Sequence, residues 1–186
     1  MKLYILGSVA SGKSTLARRI SSIVNIPCHH LDELAHIVDP SDPRGNTKRP
    51  PEERDRLFQD ILAGGQYIME DTGRGCFAEG MRQADTVILL DIPLATRRKR
   101  IVSRWLKQKL GAEKCGYRPT LAMLHAMFRW AKNYDRDAYG TKALVAQFQD
   151  KVVTLHNNRE IEDYLRTLAH RATPVAFLAL EKHPPA

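Results

Sequence analysis

The chain has 186 residues, enough for one domain, or for one domain with a mobile lid. Its apolar fraction of 43% suits a buried core, and no apolar run approaches the roughly 20 residues that would span a bilayer, which excludes a membrane partner of that kind. A net charge of +8 and a pI near 9.6 favour polyanionic partners, either nucleic acid or the phosphates of a nucleotide.

Residues 2–6 form a short apolar run that reads as a first buried strand. The segment is too short for a signal peptide and no small-residue cleavage site follows it, so a cytoplasmic location is expected. Residues 13–24 read as a helix with Leu16, Ile20, Ile23 and Val24 on one face, and residues 26–31 suit a second strand. Residues 39–51 are rich in proline and read as a loop. Pro51-Glu52-Glu53 opens a helix, with proline in the first turn and acids at the positive end of the dipole; Gly64-Gly65 should stop it. Residues 67–69 give a third strand, 86–90 the clearest fourth, and a long basic helix runs from about Leu94 to Leu110. Residues 119–148 are largely helical in pattern, 152–155 a fifth strand, Arg159–His170 a closing helix, and 171–186 a tail. Cys28, Cys76 and Cys115 are far apart and form no CxxC pair, so reduced thiols are expected in place of disulfides or zinc ligands.

Strands separated by helices imply parallel pairing through right-handed crossovers, with helices on both faces. The expected fold class is therefore α/β, a three-layer α/β/α sandwich around a five-stranded parallel sheet.

Gly7-Ser8-Val9-Ala10-Ser11-Gly12-Lys13-Ser14 matches G-x4-G-K-[ST], with a strand before it and an amphipathic helix after it. In such a P-loop NTPase fold the glycines let the backbone bend so that N–H groups face phosphate oxygens. Lys13 then reaches the β- and γ-phosphates and the Ser14 hydroxyl ligates Mg2+. The expected nucleotide-binding set is Gly7, Ser8, Ala10, Ser11, Gly12, Lys13, Ser14 and Thr15, with ATP and Mg2+ as cofactors. The site also needs an acid at the tip of a neighbouring strand, and Asp32, Glu70-Asp71 and Asp91 all stand at such tips.

On these residues the chain resembles the nucleoside monophosphate kinase branch of P-loop proteins. Within it, the chain is similar to the bacterial adenylate-kinase-like or topology modulation group, over roughly residues 1–170. His30-Leu31-Asp32 is similar to a short segment after the second strand of that group, which implies that Asp32 faces the phosphate acceptor or the metal. Tyr67–Arg74 resembles the apolar strand and D-G-F-P-R of adenylate kinases, with Arg74 on the family arginine and thus on the substrate side. Here Glu70 replaces the family aspartate and Asp71 its glycine, so either acid could serve the metal. Asp91-Ile92-Pro93 followed by Arg100-Ile101-Val102-Ser103-Arg104 is similar to the D-x-P…R-I-x-x-R segment that opens the kinase lid, expected here at about 97–140. The resemblance implies that Arg100 lies against adenine and phosphates and that Arg104 binds phosphate. It also implies a second arginine from the lid, with Arg136 first and Arg129 next, and a nucleotide-wrapping loop that includes Asn157. The resemblance also implies that the basic loop holding Arg44, Lys48 and Arg49 lies where the acceptor would bind.

The residues themselves agree with cationic catalysis. Residues 97–109 carry seven basic side chains and no acid, and Arg97, Arg100 and Arg104 share a face at i, i+3 and i+7. The expected activity is transfer of the γ-phosphate of Mg-ATP to a small acceptor, a nucleotide or nucleoside. Lys13, Arg100, Arg104 and Arg136 would neutralise charge, and Asp32 would take the proton of a hydroxyl acceptor. The alternative is a P-loop ATPase acting on nucleic acid through the basic helices, although no recognised DNA-reading motif is present. A GTPase is disfavoured, since the chain has no NKxD segment to read guanine.

Overall fold

The computed structural model describes residues 1–113, 115–134 and 140–172. β1 (Lys2–Gly7) is buried from Leu3 onward, and its side chains alternate between two cores. Leu3 and Ile5 pack against α1 (Lys13–Val24) and α8 (Asn158–Ala172) through Leu16, Ile20 and Leu165. Tyr4 and Leu6 face the other core, where α3 (Pro51–Ala63) contributes Phe58 and Leu62 and α4 (Ala78–Gln83) contributes Met81. A strand buried on both faces has no polar side to show, which is why its sequence is an unbroken apolar run.

The sheet is completed by β2 (Cys28–His30), β5 (Tyr67–Asp71), β6 (Thr86–Leu90) and β7 (Val152–Leu155). All pairings are parallel, and the spatial order is β2-β5-β1-β6-β7. The register aligns the carboxyl ends: Gly7 lies beside Leu90, Leu6 beside Asp71, and His30 beside Glu70. The five strands, the parallel sheet and the helices on both faces are as the sequence implied.

Three boundaries differ. The second strand stops at His30, and Leu31 already opens a short helix, α2 (Leu31–Ala35). The proline-rich loop is bracketed by an antiparallel ribbon, β3 (His36–Val38) with β4 (Asn46–Lys48), paired His36 to Lys48. Strands of three half-exposed residues carry no usable period, and the prolines mark only the turn between them. The stretch 119–148 is broken: α6 spans Leu121–Tyr134, α7 spans Thr141–Val145, and a 3-10 segment covers Ala146–Lys151. The long basic helix, α5 (Leu94–Lys109), packs on α6 around Ile101, Met127 and Ala131. Pro51 stands in the first turn of α3 as expected, and the left-handed position that ends the helix is Gly65 at φ +75. No helix among the described residues is long and apolar enough to cross a membrane.

Candidate active site

The loop between β1 and α1 bends at the positions where the sequence places small residues. Gly12 has φ +103 and Ala10 φ +58. Gly7 is fixed by crowding: a Cβ there would lie 2.7 Å from Ser11 Oγ and 2.9 Å from the Leu90 carbonyl. Ser11 N donates to Ser8 O at 3.2 Å, closing the turn, and Lys13 Nζ donates to the same carbonyl at 3.0 Å. Lys13 is 8% exposed. Burial pushes its ammonium below the ordinary lysine range, against the opposing pull of Glu70, Asp71 and Asp32.

The two adjacent acids of β5 separate into different jobs. Alternation along the strand sends neighbouring side chains to opposite faces. Glu70 Oε1 accepts the Ser14 hydroxyl at 2.8 Å and lies 2.9 Å from His30 Nδ1. Burial alone would raise its carboxyl, but the bond to His30, the charge of Lys13 and the bond from Ser14 together hold it below the usual range. The same contact raises His30. Asp71, its side chain fully buried, accepts the Gly73 amide at 2.8 Å and the Arg74 amide at 2.5 Å and pairs with the Arg74 guanidinium. It thereby shapes the turn after the strand. The other end of the Arg74 guanidinium reaches Asp32. Ser14, Lys13 and Glu70 therefore converge on one point, while Asp71 and Arg74 sit behind it.

The basic face of α5 also divides. Arg100 Nη1 donates to Ser11 O at 2.7 Å and Nη2 to Asn158 Oδ1 at 2.8 Å, so it spans from the β1–α1 loop to the start of α8. Arg104 donates to Glu113 at 3.0 Å and is half exposed. Arg97 does not share their environment. It is 1% exposed and turned inward beside Ile101, so the expected three-arginine face holds only two. Helical register does not separate them, since 97, 101, 104 and 108 all fall on one side of α5 although Arg104 is exposed. Asn157 is the cap of α8: its Oδ1 accepts Glu160 N at 3.0 Å and its Nδ2 donates back to Glu160 at 2.6 Å. Its neighbour Asn158, not singled out from the sequence, is the residue that meets Arg100. Asp91 pairs with Lys142 at 2.7 Å. Arg129 is exposed on α6, and Arg136 lies outside the described residues.

Two cavities meet at Gly12, Thr15 and Arg100. The larger, about 1140 Å3, brings together Ala10, Lys13, Ser14, Asp32, Glu70 and Arg104 of the expected site, and extends under the ribbon to Val38, Asn46 and Tyr117. The smaller, about 350 Å3, runs from Ser11 between α1 and α8, with Leu16 and Ile161 as apolar walls and the Arg19–Glu162 ion pair at its rim. Gly7, Ser8, Asp71, Arg74 and Asn157 line neither cavity. Among the described residues no group of three His, Cys, Asp or Glu side chains could by itself hold a metal. Ser14 and Glu70 supply two hard oxygens, the kind of partial set with which Mg2+ is held when phosphate and water complete its shell.

No family model and no curated protein sequence matches the chain. Among solved structures it is similar to TT1252 from Thermus thermophilus, with a TM-score of 0.51 and 17% identity over 92% of this chain and 97% of that one. It is also similar to an unliganded sugar kinase from Janibacter sp. HTCC2649, with a TM-score of 0.49 and 14% identity over 96% and 94% of the two chains. At 17% identity the likeness to TT1252 bears on architecture alone, and it agrees with the three-layer α/β/α fold described above.

Proposed function

We propose that this chain is an ATP-dependent phosphotransferase that moves the γ-phosphate of Mg-ATP to a small acceptor, a nucleotide or nucleoside. One observation carries the reading: Lys13 and the Ser14–Glu70 pair converge at the aligned carboxyl ends of β1 and β5, with a cavity of about 1140 Å3 opening in front of them. A structural lysine would be expected at the surface. This one is buried at a cost to its charge, and an anion in the loop would remove that cost.

In this reading the main chain of Gly7–Ser14 cradles the phosphates, with Lys13 against the β- and γ-oxygens. Ser14 and Glu70 hold Mg2+, which would supply charge neutralisation of the phosphoryl oxygens. His30 orients the Glu70 carboxylate through the 2.9 Å contact. Asp71 and Arg74 hold Asp32 at the cavity wall, from which its carboxylate takes the proton of a hydroxyl acceptor. The smaller cavity seats the base, with Arg100 between base and phosphates. Arg104 reaches the transferring group from the far wall on leaving Glu113.

A second reading rests on α5, where Arg98, Lys99, Lys107 and Lys109 are exposed and no acid interrupts residues 97–109. Those cations suit a nucleic-acid backbone. One experiment separates the two. The protein is incubated with Mg-ATP and a panel of nucleosides, nucleotides and small alcohols, with duplex DNA as a further arm, and products are resolved by chromatography. A phosphorylated acceptor, lost in Lys13→Ala, supports transfer. ATP loss that only DNA accelerates, and that falls steeply with salt, overturns it in favour of the second reading.

A further inference from the structure

Arg97 is the most deeply buried cation among the described residues, and the scheme above gives it no work. It lines neither cavity. Its Nε donates to Ile92 O at 2.8 Å, which fixes the guanidinium against the chain entering α5. Its Nη1 then donates twice, to Ser8 Oγ at 2.7 Å and to Ala131 O at 2.8 Å. Ser8 belongs to the phosphate loop and Ala131 to α6. The ring of Tyr134, one turn further along α6, lies 5.5 Å from the guanidinium carbon. A single planar nitrogen thus ties the phosphate loop to the second helix of the α5–α6 pair.

The choice of residue is informative. Burying a guanidinium takes a strongly hydrated group out of water, which is costly. A long apolar side chain would fill the same space between α5 and α6 without that cost. It could not hold two separate elements through one rigid fork. The loop end of this tie is also well placed. The Ser8 carbonyl accepts both Lys13 Nζ and Ser11 N, so the loop lysine, the loop turn and Arg97 all meet at this one residue.

We propose that Arg97 is a positioning residue that couples occupancy of the phosphate loop to α6. An anion that draws Lys13 Nζ away from Ser8 O changes what holds the Ser8 peptide, and Arg97 passes that change to the Ala131 turn of α6. The same tie keeps Ser8, and with it the loop, in register while phosphate is held. The inference rests on the reading that this loop binds a nucleoside triphosphate.

Ser8→Ala tests it gently, because it removes the bond to Ser8 Oγ and leaves both carbonyl contacts and the guanidinium in place. Arg97→Lys is the stronger variant, keeping the charge while losing the fork. If Arg97→Lys fails to fold, Ser8→Ala carries the test alone. Mg-ATP binding is measured by calorimetry, amide hydrogen exchange over residues 121–134 is followed with and without Mg-ATP, and kcat and KM are determined with whichever acceptor the panel identifies. Wild-type protein should show α6 exchange slowed by nucleotide. In Ser8→Ala that slowing should be lost, with kcat lower by roughly tenfold, the scale of one net hydrogen bond, and KM for ATP moved by a smaller factor. Adding Ser8→Ala to Arg97→Lys should cost nothing further, since the two changes break the same tie. Normal nucleotide binding with wild-type kcat and wild-type protection of α6 in Ser8→Ala overturns the coupling and leaves the functional reading intact. A flat calorimetric titration of the wild-type protein overturns both.

Discussion

The two walls of the large cavity are held together in different ways. The phosphate-loop wall is made of buried groups. Lys13 and Glu70 are 8% and 6% exposed, and Gly7 has no room for a methyl group. The ribbon wall is made of half-exposed elements, β3 and β4, fastened to the loop after α5 by three hydrogen bonds: Asn46 Nδ2 to Gly116 O at 2.8 Å, Arg118 N to Arg44 O at 2.8 Å and Arg118 Nη2 to Pro40 O at 2.6 Å. A wall set by buried contacts has one geometry and tolerates little change. A wall set by a few exposed bonds can open or be rebuilt at small cost. On the proposed function, chemistry would belong to the first wall and choice of acceptor to the second.

The largest effect that sharpens this contrast is expected from Lys13→Met. Turnover of ATP should fall by about 10³-fold, the upper range for removing one preorganised electrostatic contact. Stability should move the other way. Burial lowers the Lys13 pKa in the folded state, so below the ordinary lysine range the unfolded chain holds this proton more easily than the fold does and the group costs stability. That penalty shrinks only as pH rises through the folded pKa. Methionine of similar length removes it, and Tm measured by scanning calorimetry should rise by a few degrees. A lower Tm would mean that the lysine serves the fold, and the buried wall would lose its claim to be built for an anion.

The next pair of variants asks whether the buried wall separates catalysis from structure. Glu70→Gln should reduce turnover by about 10²-fold and raise the Mg2+ concentration needed, and it should also lower the denaturation midpoint at neutral pH, because His30, Lys13 and Ser14 hold the Glu70 carboxyl below its usual range and that charge supports the fold. Asp71→Asn should leave the Mg2+ requirement unchanged while costing about 2 kcal/mol in urea unfolding, because two backbone amides and Arg74 lose a charged partner. Equal behaviour of the two variants in Mg2+ titration would dissolve the distinction between neighbouring residues.

The same contrast explains what could be read from the sequence. Residues 3–6 and 87–90 announce strands because burial on both faces leaves only apolar side chains. The conformation of the β1–α1 loop is legible because its pattern specifies it, small residues where φ is positive or space is missing. Glu70 and Asp71 could be narrowed to a pair and no further, because their separation depends on which face of β5 meets Ser14. Arg97 was grouped with Arg100 and Arg104 because i, i+3 and i+7 describe a broad face, and burial of an arginine contradicts the usual rule for charge. Asn157 stands at the expected loop, but its side chain caps a helix, a local choice that any Asn before an acid three residues on could make. The ribbon left no signal, since its three-residue strands depend on contacts with residues 116–118, some seventy positions away.

The smallest effect is the one that isolates the ribbon wall. Asn46→Ala deletes one of the three fastenings and leaves the other two, both made by Arg118. The bond is at the surface, so its net loss should cost about 0.5–1 kcal/mol, within reach of a urea midpoint but too little to unfold the chain. The local consequence should be larger than the global one, because three bonds hold the ribbon down and opening it exposes no core. Exchange of the Arg118 amide, whose acceptor is the Arg44 carbonyl across the seam, should quicken several-fold while amides of β1 and β6 keep their rates. In turnover, KM for the acceptor should rise and KM for ATP should stay, since neither Asn46 nor Gly116 reaches the smaller cavity. Equal changes in both KM values would mean that ribbon and phosphate loop move as one body, and assigning acceptor choice to the ribbon wall would fail.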